Sequence, residues 1–321
     1  MGKVIPFEKI PKSQNREQWL EQRLVGIGGS EAGAVLEMND YKKPVEVWME
    51  KTGKIIPQDI SDKESVYWGN VLEDVIAKEF EKRNGIKVRR NNFILKSKKY
   101  PFMLANLDRE GIDKDGKKFV LEIKTAGFHA VKQWGGENIP KSYEVQVRHY
   151  LIVTGYDYAI VAGLIGGQTY KQVRIDRDPH TEQYIIDKEE EFWKEYVEKD
   201  EMPPVDGSIS TNNILNEMFP GYAEEQSTQI DNKLNTSMKR RQEIIELLKD
   251  LEEEKREIEQ DVKSEMKDHW VGLTDKYIAK WTPVTSNRVD TKLLKANYPE
   301  IHRECLKESK SRRFSIKELK K

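Results

Sequence analysis

Apolar residues recur at helical spacing in several stretches of this chain. Over 63–83, Trp68, Leu72, Val75, Ile76 and Phe80 predict a long helix that Gly85 ends. Over 142–154, Val145, His149 and Ile152 predict another that stops at Gly155. Shorter helices are expected over 15–24, anchored by Trp19 and Leu20, over 44–52 before Gly53, and over 127–134; a polar helix follows at 178–198. The Gly-rich turn in 26–36 leads into a helix that Ser30 is placed to cap. Strand patterns cover 86–96, 101–107, 118–124 after the Asp115-Gly116 turn, 157–165 and 169–175. The order reads helix, sheet, helix, sheet, which is an α/β arrangement.

The pattern changes after "MPPVDGS" at 202–208, a Pro/Gly linker signal. Residues 228–268 predict one long helix. Ile244, Leu248, Leu251, Ile258 and Val262 fall mostly at alternating spacings of three and four, with Lys255 interrupting the seam. That is a short coiled-coil or helical-hairpin seam, antiparallel or intermolecular. "YIAKWTPV" predicts a strand and "TKLLKANYPEIHRE" a helix. Two regions are therefore expected, 1–205 and 206–321.

Composition narrows the class. At 321 residues and 37% hydrophobic, the chain is long enough for a sizeable core, and 7 Trp, 13 Tyr and 9 Phe argue for packing over disorder. The net charge is −1, so the whole chain is not a polycation. Charge is local instead. Residues 82–99 carry eight Lys or Arg and no acid, 303–321 carry eight bases against three acids, and 182–201 is acidic. Basic patches of this kind suit nucleic-acid backbones. Cys305 stands alone, which excludes an internal disulfide and a Cys-based zinc or iron–sulfur site. The start, "MGKVIPFEKIPKSQ", lacks an apolar run of signal length, and no stretch nears the ~20 apolar residues of a membrane span. A soluble, intracellular protein is expected.

The chemistry centres on "LDREGIDKDGKKFVLEIK", residues 107–124, which reads as two strands around a tight turn. Glu122 and Lys124 are two apart and share a strand face, while Phe119, Leu121 and Ile123 take the other. A hairpin of this length can set Asp108 beside Glu122. Two carboxylates at one sheet end make a hard oxygen site suited to Mg²⁺ or Mn²⁺, and the metal relieves their repulsion. Lys124 beside them can orient or deprotonate a water, or stabilise phosphate charge. Competing motifs fail: "GIGGSEAG" is not a dinucleotide fingerprint, no phosphate-binding G-x-x-x-x-G-K-[ST] occurs, and the five histidines lack zinc spacing.

The D…E-x-K pattern is that of the PD-(D/E)xK nuclease superfamily. "RLVGIGGSEAGAVL", "YWGNVLEDVIAKEFEKRNG", "ANLDREG…LEIKTA" and "YEVQVRHYLIVTGYDYAIVAGLIGG" follow one another as in the YqaJ-like viral recombinases, the lambda-exonuclease-like proteins of phage recombination modules. The resemblance covers roughly residues 15–200. It implies a restriction-endonuclease-like core, a mixed central sheet flanked by helices, with a helical, coiled-coil-like C-terminal extension. It implies 5′→3′ hydrolysis of one strand of linear double-stranded DNA, leaving a 3′ overhang for a single-strand annealing protein. Two Mg²⁺ or Mn²⁺ ions per site and a ring trimer are implied as well, in the cytoplasm of a bacterial host of a phage or prophage. By the same resemblance Asp108, Glu122, the Ile123 carbonyl and Glu73 serve the metals, and Lys124 positions or activates water. Gln146 and Tyr150, one turn apart, match the family's Q-x-x-x-Y motif, and Arg23 and Ser30 match the cradle of a 5′-terminal phosphate. The superfamily's nominal Pro before the metal Asp is Leu107 here. Two other readings share these residues: a site- or structure-specific endonuclease, and a non-catalytic DNA-binding assembly subunit.

Overall fold

The computed structural model describes residues 5–13, 15–39, 41–57, 60, 62–134, 138–219, 227–307 and 312–318. The ends of the N-terminal stretch and of the basic 303–321 tail lie outside these. In chain order the elements are β1 (Phe7–Pro11), α1 (Arg16–Leu24), β2 (Ile27–Gly28), α2 (Gly29–Val35), α3 (Pro44–Lys51) and α4 (Glu64–Asn84). Five strands follow: β3 (Val88–Arg90), β4 (Phe93–Ser97), β5 (Met103–Ala105), β6 (Arg109–Ile112) and β7 (Lys118–Ala126). A 3-10 turn, Phe128–Gln133, precedes α5 (Lys141–Thr154), β8 (Tyr158–Ile165), β9 (Thr169–Asp176) and α6 (Pro179–Glu191). A π-helical stretch, Phe192–Val197, extends α6, and α7 is Ile209–Met218. The chain divides into two compact units, Met1–Phe219 and Pro220–Lys321, so α7 belongs with the first.

The first unit is built on a five-stranded sheet of order β3-β6-β7-β8-β9. Its ladders are antiparallel except β7 with β8, which run parallel because α5 carries the chain back across the sheet. The mixed sheet flanked by helices is the α/β core expected. One face packs Phe119, Leu121 and Ile123 of β7 with Ile76, Ala77 and Phe80 of α4. On the other face, Val120 joins a larger core with Val147 and Leu151 of α5. The alternation predicted for β7 therefore holds, and it sends Glu122 and Lys124 towards α5.

Several expectations change. The single strand expected over 86–96 is two strands in two sheets: β3 edges the main sheet, while β4 joins a four-stranded sheet of order β1-β4-β5-β2. The break falls at Asn91 and Asn92, where the buried Asn91 side chain accepts the Phe93 N–H at 3.0 Å. The sequence carries no signal for β1, because an edge strand with only Phe7 buried has no period to read. The predicted stripe of α4 is narrower than expected: Trp68 and Val75 are about half exposed, and burial is confined to Ile76, Ala77 and Phe80. α4 and α5 do end at Gly85 and Gly155, both left-handed.

In the second unit, α8 (Leu234–Met266) runs for 33 residues, β10 (Val271–Leu273) and β11 (Ile278–Lys280) form a hairpin, and α9 (Thr291–Asn297) and α10 (Pro299–Glu304) follow. The single helix expected over "TKLLKANYPEIHRE" is two, because Pro299 has no N–H to continue the first. Among the described residues, no helix is long and apolar enough to cross a membrane.

Candidate active site

β6 and β7 pair with Arg109 opposite Leu121. One step further along that register brings Asp108 opposite Glu122 on the α5 face. The Ile123 N–H donates to Asp108 Oδ2 at 2.8 Å, which ties the loop before β6 to the neighbouring strand. Glu122 is 3% exposed. Its Oε1 accepts from Gln146 Nε2 at 2.7 Å and from Lys124 Nζ at 2.8 Å. Its Oε2 is buried and has no hydrogen-bond partner among the described residues. Burial, then the Glu122 carboxylate, push Asp108 well above the ordinary carboxylate range, against the pull of Lys124. Two crowded carboxylates, one with a buried oxygen lacking a donor, form a site that a hard divalent cation fits.

α5 supplies the other wall. Gln146 sits between three partners: its Oε1 accepts from Lys124 Nζ at 2.9 Å, and its Nε2 donates to Glu122 and to the Tyr150 hydroxyl, the latter at 3.0 Å. The Q-x-x-x-Y pair thus faces the E-x-K pair. Burial opposes the charge of Lys124, but Glu122 and Asp108 outweigh it and hold the ammonium above its usual pKa. Lys124 also lies 4.8 Å from the Tyr143 ring centroid. Burial, then the two carboxylates, raise Tyr150 far above its usual value, so it stays a neutral hydroxyl. Its ring rests on Gly29 of α2, where a Cβ would lie 2.3 Å from Tyr150 Cε1.

Glu73 approaches from α4, on the opposite face of the sheet. It does not complete a three-carboxylate cluster: among the described residues, no group of three His, Cys, Asp or Glu is placed to hold an ion. Glu73 is instead bound by Arg109, which also binds Asp74 and donates to the Asp108 carbonyl at 2.7 Å. Arg109 is 4% exposed. Arg90, opposite it on β3, adds a 2.8 Å ion pair to Asp74. Lys12 is a second cation near the site. Its Nζ donates to the Asn91 carbonyl at 3.1 Å; burial lowers its pKa, while Asp108, Glu73 and Glu122 all act to raise it. Neither base stands out in the sequence. Arg109 follows the metal-type Asp on the strand, and its parity with Leu121 across the ladder was the available signal.

Arg23 and Ser30 come together at the start of α2, Arg23 Nη2 lying 3.4 Å from the Ser30 hydroxyl. Ser30 does not cap the helix. Gly28 is the N-cap, and Glu31 closes the turn by accepting the Gly28 N–H at 2.8 Å. That leaves the Ser30 hydroxyl exposed beside the Arg23 guanidinium, which also covers Trp19 at 4.9 Å. Behind them Glu31 is buried, paired with Lys51 at 2.7 Å and Arg23 at 3.2 Å. Burial alone would raise Glu31, but Lys51, Arg23 and Lys42 hold it down to about 2. Burial lowers Lys51, while the Glu31 carboxylate beside it acts to raise it.

A family profile described as "YqaJ-like viral recombinase domain" matches residues 18–157. YqaJ of Bacillus subtilis (strain 168), itself described as uncharacterized, is 41% identical over 310 residues, which is 95% of each chain. The chain belongs to the YqaJ-like viral recombinase family. This is the family to which the four ordered segments pointed, and Asp108, Glu122, Lys124, Gln146 and Tyr150 all lie within its matched span. R354 of Acanthamoeba polyphaga mimivirus is 25% identical over 220 residues, 65% of this chain and 35% of that protein. Among solved structures, an alkaline exonuclease (LHK-Exo) from Laribacter hongkongensis is 16% identical, covering 57% of this chain and 93% of its own, with a TM-score of 0.47. A phage related exonuclease from Haemophilus somnus 129PT is 11% identical, covering 54% of this chain and 94% of its own, with a TM-score of 0.40.

Proposed function

We propose that this chain is a metal-dependent deoxyribonuclease that degrades one strand of linear duplex DNA from its 5′ end and leaves a 3′ overhang. The observation that carries the reading is the meeting of Asp108, Glu122, Lys124 and Gln146 on one face of β7, with Glu122 Oε2 given no donor by the described residues. Asp108, Glu122 Oε2 and the Ile123 carbonyl are the groups that would hold Mg²⁺ or Mn²⁺. Such an ion supplies positive charge to a phosphate and makes water more acidic.

The protein's own groups then have separate tasks. The Lys124 ammonium spends two contacts on Glu122 and Gln146, and its three N–H donors leave one for a water or a phosphate oxygen. Gln146, fixed by Glu122, Lys124 and Tyr150, holds that ammonium in place. Tyr150, neutral and buried, anchors Gln146 from below. Glu73 is engaged by Arg109, so one ion would sit at the Asp108 and Glu122 pair, and Arg109 would supply the positive charge on the α4 side. Arg23 with the exposed Ser30 hydroxyl suits a 5′-terminal phosphate, a charge-assisted contact that a free hydroxyl end cannot make. The 3′ strand would pass to a single-strand annealing protein, and by resemblance the chain works as a ring trimer.

The deciding experiment is digestion of linear and covalently closed duplexes, with the linear DNA labelled at the 5′ end, in Mg²⁺. Release of 5′ mononucleotides from the linear DNA alone is expected. Nicking of the circle would make the chain an endonuclease, and binding without cleavage of either would make it a non-catalytic subunit.

A further inference from the structure

Among the described residues, nothing covers the seam of α8: Ile244, Leu248, Leu251, Ile258 and Val262 are 41–58% exposed. Ile245 and Leu247, also exposed, widen the apolar face at its N-terminal half. A helix of 33 residues is about 50 Å long, and an apolar stripe sustained along it calls for a partner of matching length. We propose that α8 pairs antiparallel with α8 of a second copy of this chain.

The charges that bound and interrupt the seam select this partner. Continuing the alternation of three and four adds Arg241 at one end and Glu265 at the other, so the seam reads Arg241, Ile244, Leu248, Leu251, Lys255, Ile258, Val262, Glu265. In a parallel, in-register pair each position meets itself. Arg241 would face Arg241, Lys255 would face Lys255 and Glu265 would face Glu265, three like-charge layers in one short seam. Reversing one helix about the point between Leu251 and Lys255 removes all three. Arg241 then meets the partner's Glu265, Ile244 the partner's Val262, Leu248 the partner's Ile258, and Lys255 the partner's Leu251. The Lys255 stem lies along leucine while its amine remains near Glu252, 3.7 Å away in its own chain. The two Lys255 amines also fall between the two copies of Glu252 and Glu254 at the centre. The contact is isologous and closes at two chains, so it is not the contact of a three-fold ring. It does not depend on the nuclease reading.

Disulfide trapping in the full-length chain tests this, with Cys305→Ser to remove the native thiol. In the antiparallel register, the two Ile244 positions are 18 residues apart along the helix, about 27 Å, far beyond the ~7 Å between Cα atoms that a disulfide tolerates. Ile244→Cys and Val262→Cys should each fail to cross-link with itself under mild oxidation. A mixture of the two should give a covalent dimer. Arg241→Glu should reduce that mixed product, and Glu265→Arg on the other chain should restore it. All four positions are on the helix surface, so folding is not at stake. Self-cross-linking of Ile244→Cys would show a parallel pair and overturn the proposal. No cross-link in the mixture would show that α8 does not pair with itself, and would overturn it equally.

Discussion

Replacing Gly29 by alanine tests whether the α2 backbone sets the height of the Tyr150 ring and, through it, of Gln146. The added Cβ would lie 2.3, 2.7 and 2.9 Å from Cε1, Cζ and Cδ1 of Tyr150. Ordinary carbon contacts are about 3.5–4.0 Å, so the ring must retreat by roughly 1 Å or more. Tyr150 is 3% exposed and has no solvent to retreat into. Overpacking of this kind costs about 1–3 kcal/mol. Moving the ring also pulls its hydroxyl from Gln146 Nε2, now at 3.0 Å, a hydrogen bond contributing about 0.5–1.5 kcal/mol. The expected loss is thus roughly 2–4 kcal/mol. The sign is diagnostic, because alanine for glycine in a helix with room for it stabilises by about 0.5–1 kcal/mol. Urea unfolding in metal-free buffer reads the stability, and Mg²⁺-dependent release of nucleotides reads the site. Tyr150→Phe, which keeps the ring and loses only the hydroxyl, should be milder on both measures. A Gly29→Ala protein that unfolds later than wild type and cleaves at the wild-type rate would refute the reasoning.

Lys124→Ala should abolish cleavage and spare DNA binding, because the ammonium serves the reacting phosphate more than the duplex; a gel shift showing equal loss of both would remove that role. Arg23→Ala should erase the preference for 5′-phosphorylated over 5′-hydroxyl ends, and an unchanged ratio of rates would remove the phosphate assignment. Glu31 is depressed in the fold from its usual 4.5 to about 2, so its contribution is complete above about pH 4.5 and lost as pH falls towards 2. That shift corresponds to roughly 3 kcal/mol, and Glu31→Gln should flatten the acid limb of a stability–pH curve in that window. Arg109→Met leaves Glu73 without its nearly buried partner and should lower both the melting temperature and Mg²⁺-dependent activity; a variant matching wild type in both would make the Arg109 contacts incidental.

Much of the site is local, and for that reason it was legible in the sequence. Glu122 and Lys124 share a face because strand side chains alternate, and Gln146 and Tyr150 share one because they are a helical turn apart. The turn at Asp113–Gly116 sets the register that brings Asp108 opposite Glu122. The period of α8 was equally plain, as were the glycines that end α4 and α5. What remained hidden depends on partners far away in sequence. Nothing in 86–96 says that its halves join different sheets, since the strands each half pairs with lie elsewhere in the sequence. Trp68 and Val75 fit the apolar period of α4, but β7 and β8 are wide enough to cover only the Ile76, Ala77 and Phe80 side. Arg109, Lys12 and Glu31 look like ordinary surface charges until the fold sets Glu73 and Asp74, the Asn91 carbonyl, and Lys51 beside them. Spacing along a chain tells a side chain which way to face. Which group it meets there, and whether its charge is answered, is decided by packing between segments whose separation carries no periodic signal.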